Sequence, residues 1–259
     1  MNHRQIFLDT ETTGLSVQEG DRVINIACVE MIDGKITGND FQKYIYVDRP
    51  SHPEALEIHG LTSEFLADKP EFAEIADEFL EFINGAEIII HNSPFDVGFI
   101  NNELSLIGKK SLTEYCNKIT CTRALAIELY PYEFLTEKLL SKNLVEEEKS
   151  VIEQRAKQQP IKTMVKELVK NPKFRVHSLD HLCKYYGISL ASREKFHGAL
   201  VDCLLLAEIY PHLQKELALQ DSKKQAEAAS TLIKLSTFQP AVAAKLSESL
   251  QVAPAQRLN

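Results

Sequence analysis

What this sequence has little of narrows its class first. Cysteine is scarce: five in 259 residues, an odd number with no Cys-x-x-Cys pair. That argues against a disulfide framework and for buried thiols in a reducing cytoplasm. Cys116 and Cys121 lie close together, but no paired ligands follow at zinc spacing. Long apolar runs are missing too, for none approaches the ~18 residues of a membrane span, so no membrane partner is expected. Met1 to Gln5 leads straight into a strand pattern, with no signal peptide expected. Positive charge is in short supply: 29 Lys and Arg face 37 Asp and Glu, for a net −8. Proteins that grip duplex nucleic acid are usually basic, because phosphate contacts dominate affinity. The balance therefore argues against an autonomous high-affinity nucleic-acid binder. It leaves room for a chain that holds only a few terminal nucleotides, or that borrows affinity from a partner already holding them. The 44% apolar and 25% charged content is that of a globular protein, long enough that core size is not limiting.

The stretch Ile6-Phe7-Leu8-Asp9-Thr10-Glu11-Thr12-Thr13-Gly14-Leu15 stands out. Three apolar residues lead into carboxylates at i and i+2, then a glycine turn. Strand residues two apart share a face and sit roughly 6.6 Å apart along the strand, so Asp9 and Glu11 can converge on one site. Two carboxylates at the end of an apolar strand are costly to desolvate without a cation. Hard divalent ions such as Mg²⁺ or Mn²⁺ suit an all-oxygen site. Taken alone, the stretch reads equally well as a strand ending in a polar turn, with both carboxylates in water.

Two later segments shift that balance. His91-Asn92-Ser93-Pro94-Phe95-Asp96 follows the apolar run Ala86 to Ile90 and sets a third carboxylate just past a second buried strand. Phe196-His197-Gly198-Ala199-Leu200-Val201-Asp202 puts a histidine five residues before a fourth, where an apolar helical run begins. With Pro53-Glu54-Ala55 through Ile58-His59-Gly60-Leu61, the run Asp68 to Phe82 and Ser178-Leu179-Asp180 in this order, the chain resembles the DEDD exonucleases whose general base is a histidine. Within them it is most similar to the epsilon-type proofreading subunits of bacterial DNA polymerase III. The resemblance covers about residues 4–130 and 177–213.

That resemblance implies an α/β, ribonuclease H-like fold: a mixed five-stranded sheet flanked by helices. It implies two divalent cations, Mg²⁺ or Mn²⁺, held by Asp9, Glu11, Asp96 and Asp202, with His197 accepting the proton of the attacking water. Thr12, Thr13, Gly14, Leu15, His59, Asn92 and Phe95 are implied to meet the terminal nucleotides, Leu15 as an apolar wedge. His59 also reads as a helix-end cap before Gly60, and both readings stand. His91 reads as structural. The implied partners are a single-stranded or frayed DNA 3′ end and the DNA polymerase III catalytic subunit.

Spacing fills in the elements. Strands are expected near residues 4–9, 22–31 and 41–47, with Asp33-Gly34 as a hairpin turn. Phe72, Ile75, Ala76, Phe79, Leu80 and Ile83 repeat at helical spacing. Glu87 to Ile90 is a buried strand, and the order strand, helix, strand after a hairpin implies a mixed sheet with a right-handed crossover. A helix over Asp96 to Leu106 should turn Phe95, Phe99 and Leu106 inward. Thr120 to Leu129 fits a short edge strand running into a helix. His177 and His181 stand at i, i+4, but Ser178 has the character of an N-cap, so the pair is not held in register as a metal site. Leu200, Leu204, Ala207 and Tyr210 mark a packed face on the last helix.

The domain expected is 1–216. It carries a helical insert at about 131–176, absent from the epsilon-like pattern, that serves as surface decoration, lid or docking surface. Residues 217–259 form a tail that binds a partner or is disordered. Leu235, Phe238, Val242, Leu246 and Leu250 could form one stripe there. Three functions remain open: a polymerase-associated DNA 3′–5′ exonuclease, a stand-alone enzyme trimming RNA or single-stranded DNA in the manner of ribonuclease T, and a catalytically silent adaptor.

Overall fold

The computed structural model describes residues 3–130, 177–193 and 197–238, the last eight of these by backbone alone. The insert at 131–176 lies outside the described residues, as do Val242, Leu246 and Leu250 of the tail and the side chains of Leu235 and Phe238. One compact unit ends at Leu213, and a second begins at Gln214.

In the first unit the strands are β1 (Arg4–Thr12), β2 (Val23–Ile32), β3 (Lys35–Tyr44), β4 (Glu87–Ile90) and β5 (Lys118–Cys121). Their order across the sheet is β3-β2-β1-β4-β5. β1–β2 and β2–β3 pair antiparallel, β1–β4 and β4–β5 parallel, which is the mixed five-stranded sheet expected. Asp33 (φ 49°) and Gly34 (φ 78°) close the β2–β3 hairpin with two left-handed residues, the conformation that suits a tight turn between twisted strands. β3 starts at Lys35 rather than Phe41 because this edge pairs from the turn onward, though residues 35–40 are exposed and show no alternation.

The helices are α1 (Pro53–His59), α2 (Ser63–Leu66), α3 (Phe72–Ile83), α4 (Ser93–Leu106), α5 (Thr122–Leu129), α6 (Leu179–Tyr186) and α7 (Ala199–Phe238). The alternation of β1 divides the core. Ile6 and Leu8 face one way, packing with Phe79, Ile83, Phe99 and Ile100 from α3 and α4. Phe7 faces the other, packing with Leu182, Cys203, Leu206 and Tyr210 from α6 and α7. All six expected residues of α3 are buried. Leu106 is not: it lies 61% exposed at the last turn of α4, while Phe99 is buried. On α7 the packed face runs through Ala199, Cys203, Leu206, Ala207, Tyr210 and Leu213, and Leu204 is 39% exposed. Cys203 takes the inward position assigned to Leu204, which turns the stripe by one residue. α7 continues as helix past Glu216 to Phe238.

Parallel pairing of β4 with β1 stops at Leu8, opposite Ile90. Asp9 and the residues after it therefore project beyond the carboxyl end of β4, at the edge where open α/β sheets place their ligands. A partly buried ion pair braces this end. Arg22 donates from Nε and Nη2 to the two oxygens of Glu103 (2.7 and 2.6 Å), and the Val23 amide donates to the same carboxylate (3.1 Å). Glu103 is 1% exposed. Glu103→Ala leaves a buried amide and a partly exposed guanidinium without their acceptor, so it should cost about 2 kcal/mol. Urea denaturation is the check, with the loss read as a lower midpoint at unchanged slope.

Candidate active site

Three elements deliver four carboxylates to the carboxyl end of β1. Asp9 and Glu11 alternate onto the face of Phe7, toward the layer that contains α7. Between Glu11 and Thr12 the register shifts, because Ile24 of β2 is an extra residue there, and the ladder is locally disrupted at this end, as at a bulge. Asp96 comes from the opposite layer. Asn92 takes the left-handed conformation (φ 67°, ψ 48°) between β4 and α4, one that Asn tolerates better than most residues. The first turn of α4 then brings Asp96 Oδ1 to the Thr10 amide (3.1 Å) and hydroxyl (2.7 Å), both donating. Asp202 sits on the first turn of α7, 7% exposed, with Cys203 beside it anchored against β2.

The electrostatics show how crowded this neighbourhood is. Burial, and then the charges of Asp96, Asp202 and Glu11, push Asp9 well above its usual range. Burial and the Asp202 charge raise Glu11 to about 8. Burial raises Asp96 to about 7 against the Thr10 hydrogen bonds, and burial raises Asp202 to about 6 against Arg193. Asp202 Oδ1 is buried without a partner. Anionic oxygens that desolvate and repel one another, one of them unsatisfied, are the donor set a hard divalent cation fits.

Among the described residues, the one trio of potential ligand atoms lying mutually within 4.8 Å belongs to Glu19, Asp21 and His52. Asp21 there is already occupied, by Arg49 (2.9 Å), His52 (3.2 Å) and the Ser16 amide (3.0 Å). The four acids around Asp9 share a neighbourhood without closing to that distance.

The His197 backbone amide donates to Ile58 O (2.9 Å), tying the residues just ahead of α7 to α1. Burial and the Arg193 charge lower the pKa of this histidine, so the ring is neutral near pH 7. Arg193 ends a 3₁₀ turn at Ala191–Arg193 and was not legible as a site residue. Its Nη2 donates to Asp202 Oδ2 and to His197 Nδ1, both at 2.6 Å, and its Nη1 pairs with Asp180.

Beside the cluster lies a cavity of about 360 Å³ that shares Glu11 with it. Thr12, Gly14, Leu15, His59 and Phe95 line it, and Leu15 is 85% exposed. His59 caps the end of α1 by accepting the Leu61 amide at Nδ1 (2.9 Å), which leaves Nε2 buried without a partner. Thr13 and Asn92 do not line the cavity. Thr13 Oγ1 donates to Asp21 (3.2 Å) and accepts the Arg22 amide (3.0 Å), while Asn92 Oδ1 accepts from Arg123 (2.9 Å). The turn is held tightly, since a methyl on Gly14 would overlap Asp21 and His52. His91 bonds Thr122 Oγ1 (3.0 Å) and burial drives its pKa down to about 4. Ser178 caps α6 by accepting the His181 amide (3.3 Å), and His177, ahead of the helix, donates to Tyr130 O (2.7 Å).

Unfolded carboxyls titrate near 4, whereas Glu11, Asp96 and Asp202 titrate between about 6 and about 8. Between about pH 4 and pH 8 the folded chain therefore binds more protons than the unfolded one, and stability is lost as pH rises through that range. In chelator, the melting temperature should fall between about pH 4 and pH 8. Mg²⁺ or Mn²⁺ should raise it more at the upper end. A melting temperature indifferent to both would contradict this picture.

The exonuclease family profile matches residues 6–150. The DNA polymerase III epsilon subunit of Escherichia coli is 37% identical over 213 residues, spanning 80% of this chain and 70% of that one. The epsilon subunit of Rickettsia conorii is 36% identical over 91% of this chain and 84% of its own. That of Haemophilus influenzae is 37% identical over 80% of this chain, and the match spans 66% of the relative. Exonuclease I of E. coli, solved with a dT13 oligonucleotide, superposes with a TM-score of 0.60 at 16% identity, over 85% of this chain and 43% of that one. A 3′-exonuclease solved in recognition of a histone mRNA stem-loop gives 0.55 at 14%, over 83% and 64%. These last two speak for the fold alone. With the profile covering more than half its length and relatives above 30% identity along most of it, the chain belongs to the exonuclease family, as a relative of the DNA polymerase III epsilon subunits.

Proposed function

We propose that this exonuclease removes nucleotides one at a time from DNA 3′ ends, single-stranded or frayed, and that it does so as the cytoplasmic proofreading subunit of a bacterial replicative polymerase. Asp9, Glu11, Asp96 and Asp202 are the residues that would hold two Mg²⁺ or Mn²⁺ ions. Such ions activate water at neutral pH and stabilise a leaving oxygen. The observation that carries the reading is the gathering of four mutually repelling carboxylates beside a neutral imidazole, in a relative of the epsilon subunits.

The rest of the chemistry belongs to the side chains. His197 takes the proton of the attacking water, and its lowered pKa keeps the ring unprotonated at physiological pH. Attack at phosphorus with departure of the 3′ oxygen releases a nucleoside 5′-monophosphate. The cavity beside Glu11 receives the terminal nucleotide, against Phe95 and with His59 Nε2 as a donor in its wall. Exposed Leu15 and half-exposed Ile58 stand at its mouth, where an unpaired base can pack and a paired one cannot. A mismatch lowers the cost of fraying, so selectivity for errors comes partly from the DNA. The net charge of −8 fits an enzyme whose affinity for the primer is lent by the polymerase catalytic subunit.

His197→Ala should lower the rate on a 3′-ended oligonucleotide by ~10²–10⁴ while retaining the Mn²⁺-induced rise in melting temperature. A mismatched primer should be degraded faster than a matched one and faster than RNA of the same length, and the polymerase catalytic subunit should co-purify. Equal or faster cleavage of RNA, with no polymerase bound, would assign the chain to free-standing RNA trimming instead.

A further inference from the structure

The cation the cluster does possess is Arg193. Its side chain is 8% exposed, with a 2.6 Å contact to Asp202 Oδ2, another to His197 Nδ1, and a pair with Asp180. Its charge is felt by Asp9 and Glu11 as well as Asp202, opposing their mutual repulsion. Two features mark the arrangement as a holding position. First, Arg193 Nε is buried without a partner, a cost that leaving the pocket would remove. Ala191 and Ser192 on the same short turn are exposed, so the turn that carries Arg193 lies at the surface. Second, arginine only donates, so Nδ1 of His197 must accept. The neutral ring then carries its proton on Nε2, and its one lone pair is covered. Neither nitrogen can take a proton from water while Arg193 is there.

We propose that Arg193 is the resident counter-ion of this site, a positioning residue that holds Asp202 and covers the base until a divalent ion displaces it. Arg193 occupies a lone pair of Asp202 Oδ2 at 2.6 Å, and a guanidinium and a divalent ion on one carboxylate repel each other, so the two occupants compete for Asp202. Cation arrival then performs two acts at once: it frees Asp202 as a ligand and uncovers His197. The inference rests on reading the four carboxylates as cation ligands.

The test is Mn²⁺ binding by calorimetry to the full chain as wild type, Arg193→Gln and Arg193→Lys. It is paired with imidazole ¹⁵N spectra of His197 in chelator and in Mg²⁺. Loss of a charge-assisted competitor should tighten Mn²⁺ binding about tenfold in Arg193→Gln and lower its melting temperature in chelator. Arg193→Lys, which keeps the charge without the fork, should fall between. In wild type, Mg²⁺ should release Nδ1 from its acceptor role, and Arg193→Gln should show the released spectrum in chelator. Mn²⁺ binding no tighter in either variant than in wild type, or a His197 spectrum unchanged by Mg²⁺ and by Arg193→Gln, overturns the proposal and leaves the carboxylate reading intact. No Mn²⁺ uptake by wild type overturns both.

Discussion

Carboxylates brought together out of water repel one another and lose their hydration, and the first unit of this protein is arranged around that cost. Asp9, Glu11, Asp96 and Asp202 share one neighbourhood at the end of β1, and Glu11, Asp96 and Asp202 are displaced upward to about 8, 7 and 6. A fold tolerates such a cluster only if the frame around it is stiff enough to prevent it from drifting apart. Here β1 is central in the sheet and fully apolar from Ile6 to Leu8. α4 is fastened to it through Thr10 and Asp96, and α7 through Phe7 and Tyr210, whose rings meet edge-on at 5.8 Å.

The two-sided core explains why the acids can come from such separate parts of the sequence. Odd-numbered residues of β1 look toward α7 and even-numbered ones toward α4. Past the end of β4, both layers converge on the same stretch of strand. The register shift after Glu11 and the clamped turn at Gly14 then lead the chain from the acid cluster into the wall of the neighbouring cavity. Acid cluster and cavity wall thus draw on successive residues of one strand and its turn, which fixes their separation through the backbone.

Much of this was legible from residue order, for physical reasons that can be named. A buried strand with period-two carboxylates, a helix with six apolar residues in register, and an Asp-Gly turn are local signals, and local signals survive without coordinates. The resemblance to a nuclease family connected the distant acids. Signals that depend on the third dimension were not available. Arg193 looks like any loop arginine until the 3₁₀ turn folds it back onto Asp202 and His197. Leu106 and Leu204 follow the apolar pattern of their helices, yet one lies exposed at a helix end and the other is displaced by Cys203. Thr13 and Asn92 sit inside motifs that suggest ligand contact, but their side chains are spent on Asp21, Arg22 and Arg123, holding the loops in shape.

One measurement bears most directly on the central claim that four acids form a cation site. Crystals grown with Mn²⁺ and measured at its absorption edge should show two anomalous peaks bounded by Asp9, Glu11, Asp96 and Asp202, with the Asp202 carboxylate turned away from Arg193. Manganese found only between Glu19, Asp21 and His52, or nowhere in the first unit, would contradict it.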